Sequence, residues 1–223
     1  MKKNKYYVVV PVYNEEANIV RCLNSIKKCH SDIIVVDDGS SDGTGEKLSQ
    51  YKDIHVLTLK HNVGKGMAMK EGIKIAWKLG GKGVIFLDGD NQHNPGHIEE
   101  FVKLLNRGKD IVIGVRLLRT DIPIHRKLGN NVMSFLMRKI FSVSIPDMLC
   151  GFRAFSRKGY KQIEWDSHGY GVETEVLTII GRKGLKYSTV TVDTIYHDKY
   201  KGFSIVDGIK IILKLPYWRV KSI

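Results

Sequence analysis

A chain of 223 residues, 43% hydrophobic and 26% charged, fits one globular domain with a sizeable core, built at most as two halves. Its formal net charge of +13 points to an anionic partner (nucleic acid, an acidic membrane surface or a phosphorylated substrate) without choosing among them. Three cysteines, Cys22, Cys29 and Cys150, with no C-x-x-C pair, exclude a disulfide framework and suit a reducing compartment; no apolar run reaches the length of a bilayer span, and Tyr6–Val12 is too short for a secretory leader.

The first half alternates short β-branched runs with helical periodicity. Tyr6–Pro11 reads as a strand, and Glu15–Cys29 as a helix with Ile19, Leu23 and Ile26 on one face. Asp32–Val36 is the next strand, followed by a short helix over Thr44–Gln50 with Asp42 or Ser41 as its cap. Then come a strand at His55–Leu59, a helix at Gly64–Leu79, a strand at Val84–Leu87, a helix from Pro95 to Asn106 and a strand at Asp110–Gly114. This β-α-β-α order predicts an α/β fold, a mostly parallel sheet with helices on both faces. The second half is less regular. Arg116–Lys127 is basic and loop-like, and Lys127–Phe141 reads as a helix with Leu128, Val132, Phe135 and Leu136 inward. Tyr170–Gly181 is helical and carries Glu173 and Glu175, Tyr187–Ile195 alternates like a strand, and Ser204–Arg219 pairs an apolar stripe with Lys210 and Lys214, as interfacial helices do. No repeat or linker divides the chain, so 1–223 reads as a single domain with a first half of 1–115 and a second of 116–223.

Ligands of such sheets sit beyond the carboxyl ends of the strands. Three polar clusters fall there: Tyr13–Glu16, Asp37–Asp42 and Asp88–Gln92. The stretch FLDGDNQHNP at 86–95 is the most informative. Its two aspartates, Asp88 and Asp90, flank Gly89 at a strand's end and are followed by Gln92. Oxygen donors on a tight bend suit a hard divalent cation, Mg²⁺ or Mn²⁺, which shares its coordination with substrate phosphates. Gly64-Lys65-Gly66 lacks the spacing of a P-loop. His93 and His97 are four apart, but Asn94-Pro95 starts a helix between them and no third ligand has the right spacing.

Taken in order, VVVPVYNEEANI at 8–19, IIVVDDGSSDGT at 33–44, HNVGKGMAMKEGIKIA at 61–76, FLDGDNQHNP at 86–95 and DIVIGVRL at 110–117 resemble the family 2 glycosyltransferases of GT-A fold. The likeness is to their dolichol-phosphate mannosyltransferase and polyprenyl-phosphate branch; HRKLGN at 125–130 and DMLCGFRAFSRKGY at 147–160 match more weakly. By position, the resemblance implies that Pro11, Tyr13, Glu15 and Asp38 bind the nucleotide, that Asp88, Gly89 and Asp90 meet the sugar diphosphate, and that Asp88, Asp90 and Gln92 hold the metal. It assigns Asp90, Arg116 and Arg126 to catalysis, and Arg116 and Arg126, with Lys199 and Lys201, to the acceptor phosphate. Near the C-terminus, lysines stand where the family carries arginine, a point charge in place of a two-pronged grip.

The expected reaction is an inverting transfer of a hexose, mannose or glucose, from a GDP- or UDP-sugar to a polyprenyl phosphate, on the cytoplasmic face of a membrane. Expected partners are a nucleotide-diphosphate sugar, the lipid phosphate and an anionic membrane surface, with room for a membrane-anchoring partner subunit. A phosphate acceptor is already anionic near neutral pH and needs no general base. The alternative, the same fold acting on a saccharide hydroxyl, needs one, and Glu173 or Glu175 is the candidate. A nucleic-acid-binding module is suggested by charge alone, and no recognition motif supports it.

Overall fold

The first strand, β1 (Tyr6–Val12), is buried at every position, as befits a strand covered on both faces. In this computed structural model, which describes residues 5–116, 124–169, 171–193 and 205–220 (the side chains of 124–130 and 205–209 excepted), β1 lies near the centre of a seven-stranded sheet. The other strands are β2 (Ile33–Asp37), β3 (His55–Thr58), β4 (Gly83–Phe86), β5 (Ile111–Arg116), β6 (Arg153–Ser156) and β7 (Ser188–Val192). Their order is β3-β2-β1-β4-β6-β5-β7. The β3-β2-β1-β4 pairs and the β5–β7 pair are parallel, whereas β6 runs antiparallel between β4 and β5. The carboxyl ends of all strands but β6 therefore share one edge, and the start of β6 lies there too.

Alternation along β1 sends Tyr7 and Val9 to one face and Tyr6, Val8, Val10 and Val12 to the other. The first face packs against α3 (Lys65–Lys78), α5 (Ile124–Phe141), α7 (Val172–Arg182) and α8 (Ile205–Val220). The second packs against α1 (Ile19–Cys29), α2 (Thr44–Ser49) and α4 (Ile98–Asn106), with Phe101 stacked on Phe152 at 4.3 Å between ring centres. The helix expected from Pro95 starts as a 3₁₀ turn, Pro95–His97, capped by the Asn94 side chain, which accepts from the Gly96 N–H, and continues as α4. A short helix absent from the sequence reading, α6 (Arg157–Gln162), follows β6 and is capped by Ser156.

Two sequence expectations change. The strand β6 was not foreseen. In α5, Val132 and Phe135 face solvent at 45% and 53% exposure, and Met133, Met137 and Phe141 fill the core instead. Leu136 does pack against the core as expected; the helix is apolar on more than one side, so periodicity placed only part of the inward face correctly.

Candidate active site

The polar edge begins with two loops laced together. The N–H of Asn14, at φ 54°, donates to Ser40 Oγ, and the N–H of Ser41 donates to Asn14 Oδ1. Glu15 N–H donates to Thr44 Oγ1, and Asp42 accepts from the N–H groups of Glu16 and Thr44. These bonds set Tyr13, 45% exposed, on the rim beside Glu15, with Pro11 buried in β1 beneath. Asp38 is buried, and its carboxylate accepts from the N–H groups of Val63 (2.8 Å) and Gly64 (2.8 Å), so it shapes the loop that leads into α3.

That loop delivers Lys65 to the centre of the site. Its Nζ lies 2.6 Å from Asp88 Oδ1 and 2.6 Å from Glu173 Oε1, with only 16% of the side chain exposed. The placement is held from several sides. Gly64 is at φ 96°, Gly66 N–H donates to the His168 carbonyl, and buried Trp165 donates from Nε1 to the Gly66 carbonyl. A Cβ on Gly66 would collide with the Ser167 carbonyl. Burial opposes the charge on Lys65, yet Asp88 and Glu173 overcome it and raise its pKa. Asp88 shows the complement: burial would push it up, but Lys65 and then His93 hold it well below the usual carboxylate range. The second oxygen, Oδ2, faces His93 Nε2 at 3.4 Å, and Gly151 packs so close to this carboxylate that no side chain fits there.

Asp90 is different. It accepts from the Gln92 N–H at 3.0 Å and makes no ion pair among the described residues. Burial, and next the negative charge of Asp88, hold its carboxyl above the ordinary value. A divalent cation fits this residue, because it supplies the positive charge that Asp90 lacks; Gln92 adds an amide two positions on. No cluster of three or more potential His, Cys, Asp or Glu ligands occurs among the described residues. A cation here would therefore depend on substrate phosphates and water, as Mg²⁺ habitually does. Of the three expected metal ligands, Asp88 is engaged by Lys65, and Asp90 makes no ion pair among the described residues.

On the other side of the site, Arg116 at the end of β5 is gripped by Asp147, with Nε to Oδ2 at 2.6 Å and Nη2 to Oδ1 at 2.9 Å. Arg153, fully buried at the start of β6, donates to the carbonyls of Cys150, Met148 and Glu173 and so ties β6 to α7. Glu173 and Glu175 are not helix-surface charges. Glu173 is 5% exposed and held by Lys65, and Glu175 is 1% exposed and accepts from the N–H groups of Asp166 (3.1 Å) and Ser167 (2.7 Å). Arg126 lies in the first turn of α5, where only its backbone is described, and Lys199 and Lys201 lie outside the described residues. Sequence reading missed Lys65, Arg153 and Asp147. The first was visible as a glycine-flanked lysine, but only the fold shows what it meets. The two histidines meet different partners, His93 facing Asp88 and His97 facing Asp193.

Residues 7–164 match the family described as Glycosyl transferase family 2. An uncharacterised protein of Methanocaldococcus jannaschii is 35% identical over 225 residues, covering 96% of this chain and 92% of its own. The UDP-N-acetylglucosamine–dolichyl-phosphate N-acetylglucosaminyltransferase of Methanococcus voltae is 29% identical, covering 94% of each. Among solved structures, glucosyl-3-phosphoglycerate synthase from Mycobacterium tuberculosis, in complex with Mn²⁺, UDP and glucosyl-3-phosphoglycerate, superposes with a TM-score of 0.75 at 22% identity, over 96% of this chain and 80% of the other. The mostly parallel sheet with its polar carboxyl edge is the GT-A fold, and by its sequence the chain belongs to glycosyl transferase family 2.

Proposed function

We propose that this protein transfers a sugar of the hexose class from a nucleotide-diphosphate donor to a polyprenyl phosphate, with inversion at the anomeric carbon. One observation carries the choice of acceptor. A hydroxyl acceptor needs a carboxylate base, and both candidates are committed elsewhere: Glu173 to Lys65, and Glu175 to two backbone N–H groups. A phosphate acceptor needs no base. The name of the relative from M. voltae, which specifies dolichyl phosphate, supports the same class.

In this reading Tyr13, Glu15 and the loop held by Asp38 receive the nucleoside, and the donor diphosphate lies against Gly89 and Asp90. Asp90 and Gln92 would hold a Mg²⁺ or Mn²⁺ ion, which when bound stabilises the diphosphate leaving group. Arg116, fixed in orientation by Asp147, and Arg126, with Lys199 and Lys201, offset the repulsion between the acceptor phosphate and the donor. Mannose and glucose from GDP or UDP are the expected donors, and the M. voltae relative adds N-acetylglucosamine from UDP to the set to be tested.

A lipid acceptor puts the reaction at a membrane surface, and the cytoplasmic face is the one expected. No helix among the described residues is long and apolar enough to cross one. α8 suits surface attachment. Ile211, Leu215 and Trp218 pack inward, while Leu213, Tyr217 and Val220 form a second apolar stripe in solvent, alongside Lys210, Lys214 and Arg219.

The test measures transfer to a short polyprenyl phosphate and to the matching polyprenol, for wild type and Arg126→Ala. Transfer to the phosphate only, with a raised acceptor KM or a lowered kcat in the variant and unchanged donor binding, is expected. Equal transfer to the alcohol would overturn the assignment.

A further inference from the structure

Lys65 holds two carboxylates that belong to opposite halves of the site, Asp88 after β4 and Glu173 in α7, each at 2.6 Å. The lysine did not reach this place by chance of rotamer. The turn that carries it is docked on residues 165–168 through the Gly66 and Trp165 bonds, and that segment is anchored in turn by Glu175. A D-x-D bend with both carboxylates free would present two negative oxygen donors to any divalent cation in solution. Here one of them is neutralised from within the protein. Of the two, it is Asp90 that makes no ion pair among the described residues, and one carboxylate is a weak anchor for a bare, strongly hydrated cation. A cation already carried on a diphosphate brings further oxygens with it.

We infer that Lys65 is a positioning residue that commits its charge to Asp88 and Glu173, so that the site takes its divalent cation as a complex with the nucleotide diphosphate and not as the bare ion. This rests on the reading of the site as a nucleotide-sugar site. Removing the lysine's charge leaves Asp88 and Asp90 together as a dicarboxylate, which attracts a bare cation more strongly. A purely structural role for Lys65 gives the opposite sign, since disordering the bend can only weaken metal binding.

The experiment titrates Mn²⁺ against the full chain by electron paramagnetic resonance, alone and with UDP or GDP at a fixed concentration. In the wild type the nucleotide is expected to tighten Mn²⁺ binding by about tenfold or more, because the diphosphate oxygens complete the coordination. Lys65→Met is expected to bind Mn²⁺ alone about tenfold tighter than wild type, and Lys65→Arg to behave as wild type. Unchanged or weaker binding of Mn²⁺ alone by a folded Lys65→Met protein overturns the inference. Should that variant fail to fold, Lys65→Gln, which also removes the charge, is titrated in its place, and unchanged or weaker binding of Mn²⁺ alone by the folded protein overturns the inference. Failure of both nucleotides to bind under every metal condition would instead sink the donor reading itself, a result distinct from any change at Lys65.

Discussion

Arg116 and Asp147 form a two-pronged ion pair across the end of β5, and the Arg116 N–H adds a third contact to Asp147 Oδ2 at 3.2 Å. Asp147 is only 4% exposed, so the pair is geometrically fixed and its acid is costly to leave alone. Removing the arginine with Arg116→Met should destabilise the fold by about 3 kcal/mol, the usual range for stranding one partner of a buried pair. The hydrogen bond from Arg116, and then its charge, overcome burial and lower the Asp147 pKa. The stability gained is therefore complete above the unfolded value, near 4, and is lost as pH falls through the lower folded value. Urea unfolding of wild type and variant from pH 6 down to 2.5 should show a stability gap that is constant at the upper end and closes at the lower. A gap that widens on acidification would refute this.

Asp90→Asn should abolish transfer while leaving the far-UV circular dichroism native. The variant keeps the hydrogen-bonding shape of the bend but loses the one carboxylate of the pair without a lysine partner. In thermal unfolding, Mn²⁺ with the productive nucleotide should raise the wild-type Tm, since a ligand of the folded state stabilises it, and should leave the variant's Tm unmoved. Full activity of the variant in excess EDTA would remove the metal from the scheme.

Glycine-to-alanine exchange should have opposite signs at two helical positions. At Gly45, in α2, the new Cβ meets Asp37 Oδ2 at an ordinary 3.6 Å, so alanine should be neutral or stabilise by up to about 1 kcal/mol. At Gly66, in the first turn of α3, the Cβ collides with the Ser167 carbonyl, so alanine should destabilise by about 1–3 kcal/mol and displace Lys65. Chemical denaturation of the two variants side by side checks the contrast; a stabilising Gly66→Ala would show that the turn is not docked as described.

Leu213→Glu combined with Tyr217→Glu should abolish co-sedimentation with anionic vesicles at low salt without changing transfer to a short, water-soluble acceptor phosphate. The two side chains are 73% and 59% exposed and lie outside the core, and far-UV circular dichroism of the double variant checks that it folds. Vesicle binding by the double variant equal to that of wild type would remove α8 from the membrane-facing surface.

The parallel part of the sheet was legible because each strand is a short apolar run closed by a polar cluster, and the periodicity changes sharply between strand and helix. Three features were not. β6 is four residues long and carries Arg153, whose charge argues against a central strand until three carbonyls are found around it. Glu173 and Glu175 sit in a helix buried along Val172–Ile180, so the habit of turning acids outward misled; the partner of Glu173 is 108 positions away at Lys65. In α5 apolar residues lie on more than one side of the helix, and only the neighbouring helices decide which are buried.

The antiparallel insertion of β6 also orders the assembly of the molecule. β3, β2, β1 and β4 are complete once residue 86 has emerged from the ribosome, and they can pair while synthesis continues. β5, though made next, has no strand to join until residues 153–156 arrive, because among the described residues β6 is the one strand that bridges it to β4. The edge of β4 stays open over that interval, beside the bend that carries Asp88. The nascent half is thus exposed to mispairing at the strand that later borders the active site, and a fragment ending near residue 115 would present that edge permanently and be prone to aggregate.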